Sequence, residues 1–415
     1  MKADQSVRVY RLDNGITLLG ETMKQVSSAA MSILVPMGAV TDPEERQGSA
    51  SILVEMFNKG GGPFNSKELS WEFEKLGAHR ASSAGLEHCC FSCSALGENL
   101  SKIIPLYAKM LLEPHLPEEE LRSVKDVVIQ ELKSLEDEPS SKVMVELSRR
   151  FYPEPFGRCN LGTTSGVEAV SGALLKKYYK EGFVANGTII GVAGNFDWEE
   201  IKSVVEASFS SWKGSSERML PGPLSKETRA FHLEQDTSQL QIALAYPSVA
   251  IDHDDYYRAK VAVGILSGGM AGRLFIEVRE KRGLVYRVSA SHNGALGRAS
   301  VTAYAGTTPE HAQQTLSVMV RELKNLKNGV TDEELKRAKA DIKSKMVIQL
   351  ELSSARASRL TNDWWSLGEV RDLGDIKAAI DSVNNDLLCR HLDAYRVSPV
   401  TLVTLGPQMN LELSL

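Results

Sequence analysis

One order of elements is written twice along these 415 residues, and that repetition limits the possible folds more than any single motif. In the first copy, "SAAMSILVPMGA" (28–39) reads as a strand and 47–59 as a helix. "SKELSWEFEKLGAHRASSAG" (66–85) then gives a second helix, a Gly turn and another strand. In the second copy, "SQLQIALAYP" (238–247) is a strand and "DDYYRAKVAVGILSGG" (254–269) a helix. "AGRLFIEVREKRGLVYRVSAS" (271–291) repeats the helix, turn and strand. Glu74-Lys75-Leu76-Gly77 falls beside Glu280-Lys281-Arg282-Gly283, 206 positions on, and residues 116–143 match 330–357 in pattern. Both of the latter segments open with an acidic first turn that complements a helix dipole, and Thr331 with Glu334 fits a capping box. A duplicated α+β domain of about 200 residues follows, each copy a mainly antiparallel sheet with helices on one face.

Size agrees with duplication, because a chain this long exceeds one ordinary core. The stretch "WKGSSERMLPGPLSKETR", rich in Ser, Pro, Gly and charge, reads as a linker over 212–229. It sets domains at 1–211 and 230–415. The net charge of −5 offers no electrostatic case for nucleic acid or an anionic membrane. No apolar run approaches the roughly 20 residues that span a bilayer. The start, "MKADQSVRVYRLDNGITLL", goes straight into strand-like alternation without an apolar leader. A soluble protein of a bacterial cytoplasm or periplasm is expected before one of the mitochondrial matrix.

Five cysteines, an odd count, argue against a disulfide framework. Three of them cluster in "LEHCCFSCSAL", where a strand would turn residues 89, 91 and 93 to one face and 88, 90 and 92 to the other. That divides the candidate metal ligands and favours cysteines packed as small hydrophobes. Trp364 and Trp365 end a helical stretch and read as packing residues.

Three segments carry a family resemblance along nearly the whole chain. "LDNGITLL" (12–19), "YPEPFGRCNLGTTSGVEAVSGALLKKYYKEGFVANGTIIGVAGNFD" (152–197) and above all "GGMAGRLFIEVREKRGLVYRVSAS" (268–291) resemble the pitrilysin/insulinase superfamily of zinc metallopeptidases. The resemblance is to the branch of mitochondrial processing peptidase subunits and bacterial two-subunit peptidases. Peptide-cleaving members carry H-x-x-E-H with a distal Glu. Two imidazoles on one helix face and a carboxylate bind zinc, with a fourth position open for water, and the intervening Glu takes that water's proton.

The resemblance implies a degenerate version of that centre in "GSASILVEMFNKGG" (48–61). Ser51 stands at the first His, Val54 at the general base and Glu55 at the second His, while Glu131 keeps the distal carboxylate. No catalytic residue and no metal are therefore expected in this chain. Two carboxylates without imidazole suit a hard cation better than zinc and would need further oxygens. Their proximity would also favour protonation of one.

Arg282 and Tyr286 match the Arg/Tyr pair with which the family holds substrate, and Gly268 and Gly269 lie in a loop resembling the glycine-rich loop of non-catalytic processing-peptidase subunits. The implied function is a substrate-holding subunit of a heterodimeric peptidase acting on peptides, with zinc in a homologous partner. Two alternatives stand beside it, a structural or assembly protein and a homodimer that binds peptides without cutting.

Overall fold

The computed structural model describes residues 7–409 and 411–413; the first six residues of the leaderless-looking start lie outside them. The chain forms two compact units. The first draws on residues up to Ser134, on Arg158–Met219 and on Ile348–Val370. The second takes Leu135–Gly157, Leu220–Val347 and the chain from Arg371. The segment 212–228 holds neither helix nor strand, apart from an isolated bridge between Asn186 and Ser215.

The first unit contains β1 (Arg8–Arg11), β2 (Thr17–Thr22), β3 (Ser28–Val35), a two-residue pair β4 (Gly60–Gly61) and β5 (Phe64–Asn65), then β6 (His79–Ala84), β7 (Cys89–Leu96) and β8 (Ile189–Gly194). Six of these make one sheet in the order β1-β2-β8-β3-β7-β6. The second unit contains β9 (Arg229–Glu234), β10 (Leu240–Pro247), β11 (Val285–Ala295), β12 (Arg298–Thr307) and β13 (Thr401–Gly406), in the order β11-β12-β10-β13-β9. Read from opposite ends, the two orders coincide from β2 to β6 and from β9 to β11. Even the single parallel contact recurs, between β2 and β8 and between β13 and β9, while the remaining pairs are antiparallel. The α+β architecture and the duplication are thus a property of the backbone, and the resemblance of the two sequence copies follows from it.

Burial shows why the central strands carry so few polar residues. In β7, Cys89, Phe91 and Cys93 are buried and the intervening residues are half-buried, the expected alternation, and all five cysteines are free. In contrast, β3 and β10 are buried along both faces, which demands a nearly continuous apolar run. One face of the first sheet bears the main core, with Met31, Ile33, Ile190 and Val192. Its other face bears a smaller cluster of Leu19, Ala30, Ile189 and Ala193 with Ala357 and Leu360.

Those last two residues belong to helix Ser353–Leu367, from the far end of the chain. The second sheet has the same arrangement, its rear face covered by Val143, Leu147 and Phe151 of helix Pro139–Phe151 against Ala243, Ala245, Val403 and Leu405. Besides the main helical layer on one face, each sheet therefore takes one helix on the other, from the opposite copy of the sequence. The covered face is lined with small residues because a helix must approach closely. A Cβ at Gly191 would stand 2.7 Å from Thr361 Cγ2 and 2.8 Å from the Ala357 carbonyl oxygen. The buried Glu21 carboxylate hydrogen-bonds the Arg356 guanidinium, and Ser32 meets Thr361 at 3.2 Å between hydroxyl oxygens. Trp365 packs in the same unit, its indole N–H donating to Glu87 at 3.2 Å.

Candidate functional site

Helix Ser49–Phe57 carries Ser51, Val54 and Glu55, three of the four positions that the resemblance sets at a zinc centre, and its own packing closes them. The chain enters it through Gly48 at φ +107°, a left-handed conformation natural to glycine. No side chain caps the helix from the residue before it. Instead Asp42 reaches in, accepting from the Gly48 N–H at 2.6 Å, the Ala50 N–H at 3.0 Å and the Tyr178 hydroxyl at 2.8 Å. Burial pushes the Asp42 carboxyl up to about 6, against the pull of these donors. Asp42 lies seven residues upstream of the helix it caps, a placement with no short-range signature in the sequence.

Ser49 donates to the Arg46 carbonyl at 2.7 Å and Ser51 to the Asn160 carbonyl at 2.8 Å, so both hydroxyl protons serve the backbone. Val54 is 2% exposed within the main core. Glu55 is half-buried; burial first and the charge of Glu131 second raise its pKa, and Lys59 opposes them. The structure thus brings Glu55 and Glu131 together, and Glu131 is exposed on helix Leu121–Asp137. Zinc does not fit this residue set. No imidazole is present, one position is filled by core valine, and Ser51 is turned to a carbonyl. Among the described residues no group of three or more His, Cys, Asp and Glu could hold a metal ion.

The second site is built around the start of β11. Val285 pairs with Thr307 and Arg287 with Gly306, so Tyr286 is the extra residue of a β-bulge. A bulge re-aims a side chain out of the regular alternation, and Tyr286 is 79% exposed. Before it, Phe275–Glu280 forms a π-helical stretch, a geometry found often at functional sites. Arg282 donates from Nη1 to the Glu277 carbonyl oxygen at 2.6 Å and to its carboxylate at 2.7 Å. The guanidinium that covers the Tyr286 ring is that of Arg279, 5.0 Å from its centroid. Arg282 and Tyr286, the pair the resemblance assigns to holding substrate, do not stack on each other: Arg279 lies over the Tyr286 ring and Arg282 is tied into the turn. Two arginines precede the tyrosine, and spacing alone does not say which of them lies over its ring.

Gly268 closes helix Tyr256–Ser267, where a Cβ would stand 2.3 Å from the Gly264 carbonyl oxygen. Gly269 follows at φ +84° with no atom within 4 Å of its Cβ position, and Met270 beyond it is 76% exposed. The loop leaves through Arg273, whose Nε and Nη2 bind the two oxygens of Glu334 at 2.6 and 2.8 Å. Glu334 also completes the capping box expected from the sequence, accepting from the Thr331 N–H at 2.9 Å while its own N–H reaches the Thr331 hydroxyl at 3.2 Å. Arg273 holds the Glu334 carboxyl down to about 2.

Two units of one repeated topology, one with a closed, metal-free helix and one with a glycine loop beside an exposed phenol, make a chain of duplicated design. The chain belongs to the insulinase family, peptidase family M16. Residues 18–164 match Insulinase (Peptidase family M16), and 169–342 match the Peptidase M16 inactive domain. It is 28% identical over 385 residues to an uncharacterized zinc protease, YmxG, of Bacillus subtilis, covering 91% of this chain and 93% of that one. A Pseudomonas fluorescens crystal structure of a peptidase M16 inactive domain shares the fold at a TM-score of 0.88 and 21% identity, over 98% of this chain and 100% of that one. A chain from complex III2 of Candida albicans shares it at a TM-score of 0.82 and 18% identity, over 97% and 96%. Among the described residues no helix is long and apolar enough to cross a membrane.

Proposed function

We propose that this chain is the non-catalytic, substrate-holding subunit of a heterodimeric metallopeptidase acting on peptides, with zinc carried by a homologous partner. The observation that carries the reading is the contrast within one duplicated fold. The zinc positions of the first unit are spent on packing and backbone hydrogen bonds, while the second unit keeps an exposed phenol on a bulge with a guanidinium stacked on it. Tyr286 offers a directional hydroxyl and Arg279 a planar set of donors, a combination suited to the backbone carbonyls of an extended peptide. Arg282, through Glu277, holds the turn that presents them. Gly268 and Gly269 give the neighbouring loop freedom to follow the peptide.

A remote grip of this kind positions the scissile bond in the partner's centre, so its loss lowers kcat/KM. The test mixes the chain with a candidate zinc-bearing partner from the same genome and follows peptide cleavage. The expected result is no hydrolysis by this chain alone, hydrolysis by the pair, and a fall of about tenfold or more with Tyr286→Ala or Arg279→Ala. Stoichiometric zinc and activity in the isolated chain would overturn the reading. A stable assembly that stimulates no peptidase would point instead to a structural role.

A further inference from the structure

On the rear face of the second sheet, Arg287, Gly306 and Gln241 form one cross-strand row over β11, β12 and β10. The central residue has no side chain, so the row has an open floor. A Cβ at Gly306 would stand 3.1 Å from Gln241 Oε1, 3.2 Å from Tyr304 Oη and 3.5 Å from Gln239 Oε1. Three polar atoms thus converge on one unfilled point. The surrounding hollow holds about 480 Å³; Tyr286 stands on its rim and Glu138 and Ser140, at the start of helix Pro139–Phe151, form the facing wall.

The charges in this hollow are balanced. The Arg287 guanidinium lies 5.8 Å from the Tyr304 ring, and among the described residues no carboxylate pairs with it. Glu138 accepts from the Ser140 hydroxyl at 2.7 Å. Between the two lie amides and hydroxyls, with Tyr304 donating to Gln241 at 2.6 Å. Burial raises the pKa of Tyr304, keeping it a neutral phenol and a donor at physiological pH.

We infer that this hollow is a side-chain subsite for the peptide gripped at Tyr286, and that it selects an uncharged polar side chain, a carboxamide or a hydroxyl. This rests on the peptide-holding reading above. An acidic side chain would face Glu138 and a basic one Arg287. An apolar side chain would strip water from the glutamine amides and the phenol without replacing their hydrogen bonds, leaving each of those groups unpaired. A carboxamide brings donors and an acceptor together, matching a glutamine amide in either orientation. The same logic makes sites built to hydrogen-bond a ligand reject the analogue that lacks the group.

The experiment uses the full chain and fluorescein-labelled extended peptides of otherwise Gly/Ala/Ser sequence, with Gln, Glu, Lys or Leu placed at each position in turn. Anisotropy titrations should show one position at which Gln binds at least fivefold tighter than Glu, Lys or Leu. Gly306→Val, which fills the floor, should erase that preference. Two surface variants keep the test independent of folding at Gly306: Arg287→Gln should move the preference toward Lys and Glu138→Gln toward Glu. Unchanged rankings in all three variants, or Leu as the tightest guest throughout, would overturn the subsite while leaving the peptide grip intact. Absence of saturable binding by every peptide, or identical affinities for the wild-type chain and Tyr286→Ala, would remove the grip and the subsite with it.

Discussion

Glu55 sits half-buried, and burial first and the charge of Glu131 second raise its pKa. A carboxyl whose folded pKa is raised makes the fold less stable as pH rises through the carboxylate range, because the unfolded chain gives up that proton first. Glu55→Gln should therefore stabilise the chain at pH 7, by about 1 kcal/mol or less given its partial exposure, and the gain should vanish near pH 4. Thermal melts at the two pH values decide it: equal effects at both would show that ionisation is not what Glu55→Gln relieves. The resemblance pointed to Ser51, Val54, Glu55 and Glu131, but the residues that pack around them could not be read from it. Asn160 offers Ser51 a backbone carbonyl, which no side-chain pattern encodes. Arg279 was hidden for a different reason. Two arginines precede Tyr286 by four and seven residues, and only the π-helical turn decides which of them reaches the ring.

At the scale of elements, the segments legible in sequence were those whose burial on one face imposes a period that the sequence must obey. The capping box at Thr331 and Glu334 and the alternation in β7 were legible for that local reason. What escaped was the second covered face of each sheet. Ala30, Ser32, Gly191 and Ala193 are small where an ordinary strand would be large, a sign that something packs against them, but residue size does not name the occupant. Gly191→Val tests the occupant that the structure shows. Its side chain would push against Thr361 and the Ala357 carbonyl, with an expected loss of about 1–3 kcal/mol. If Tm is unchanged, helix Ser353–Leu367 does not pack on β8 as described.

For the whole molecule, the two copies were legible as a tandem repeat, one after the other, and the compact units are not tandem. Helix Pro139–Phe151 completes the second sheet and helix Ser353–Leu367 the first. A fragment ending at Met219 would keep every strand of the first sheet but lack Ala357, Leu360 and Arg356, leaving an apolar face open and the buried Glu21 without its guanidinium. Leaving a buried charge uncompensated costs about 3–5 kcal/mol by itself, a large part of a domain's stability. Such a fragment should be insoluble or bind a hydrophobic dye, and a peptide spanning 348–370 should restore a cooperative melt. A fragment that melts cooperatively without the peptide would count against this dependence.

The exchange of helices also bears on how such a chain can change over evolutionary time. In a plain tandem repeat, a copy that loses its catalytic residues becomes a spare part that can drift, shrink or be deleted. In this chain each copy supplies a structural piece that the other lacks, so each stays under selection for as long as its neighbour must fold. Either copy could then change its surface chemistry without becoming dispensable to the other.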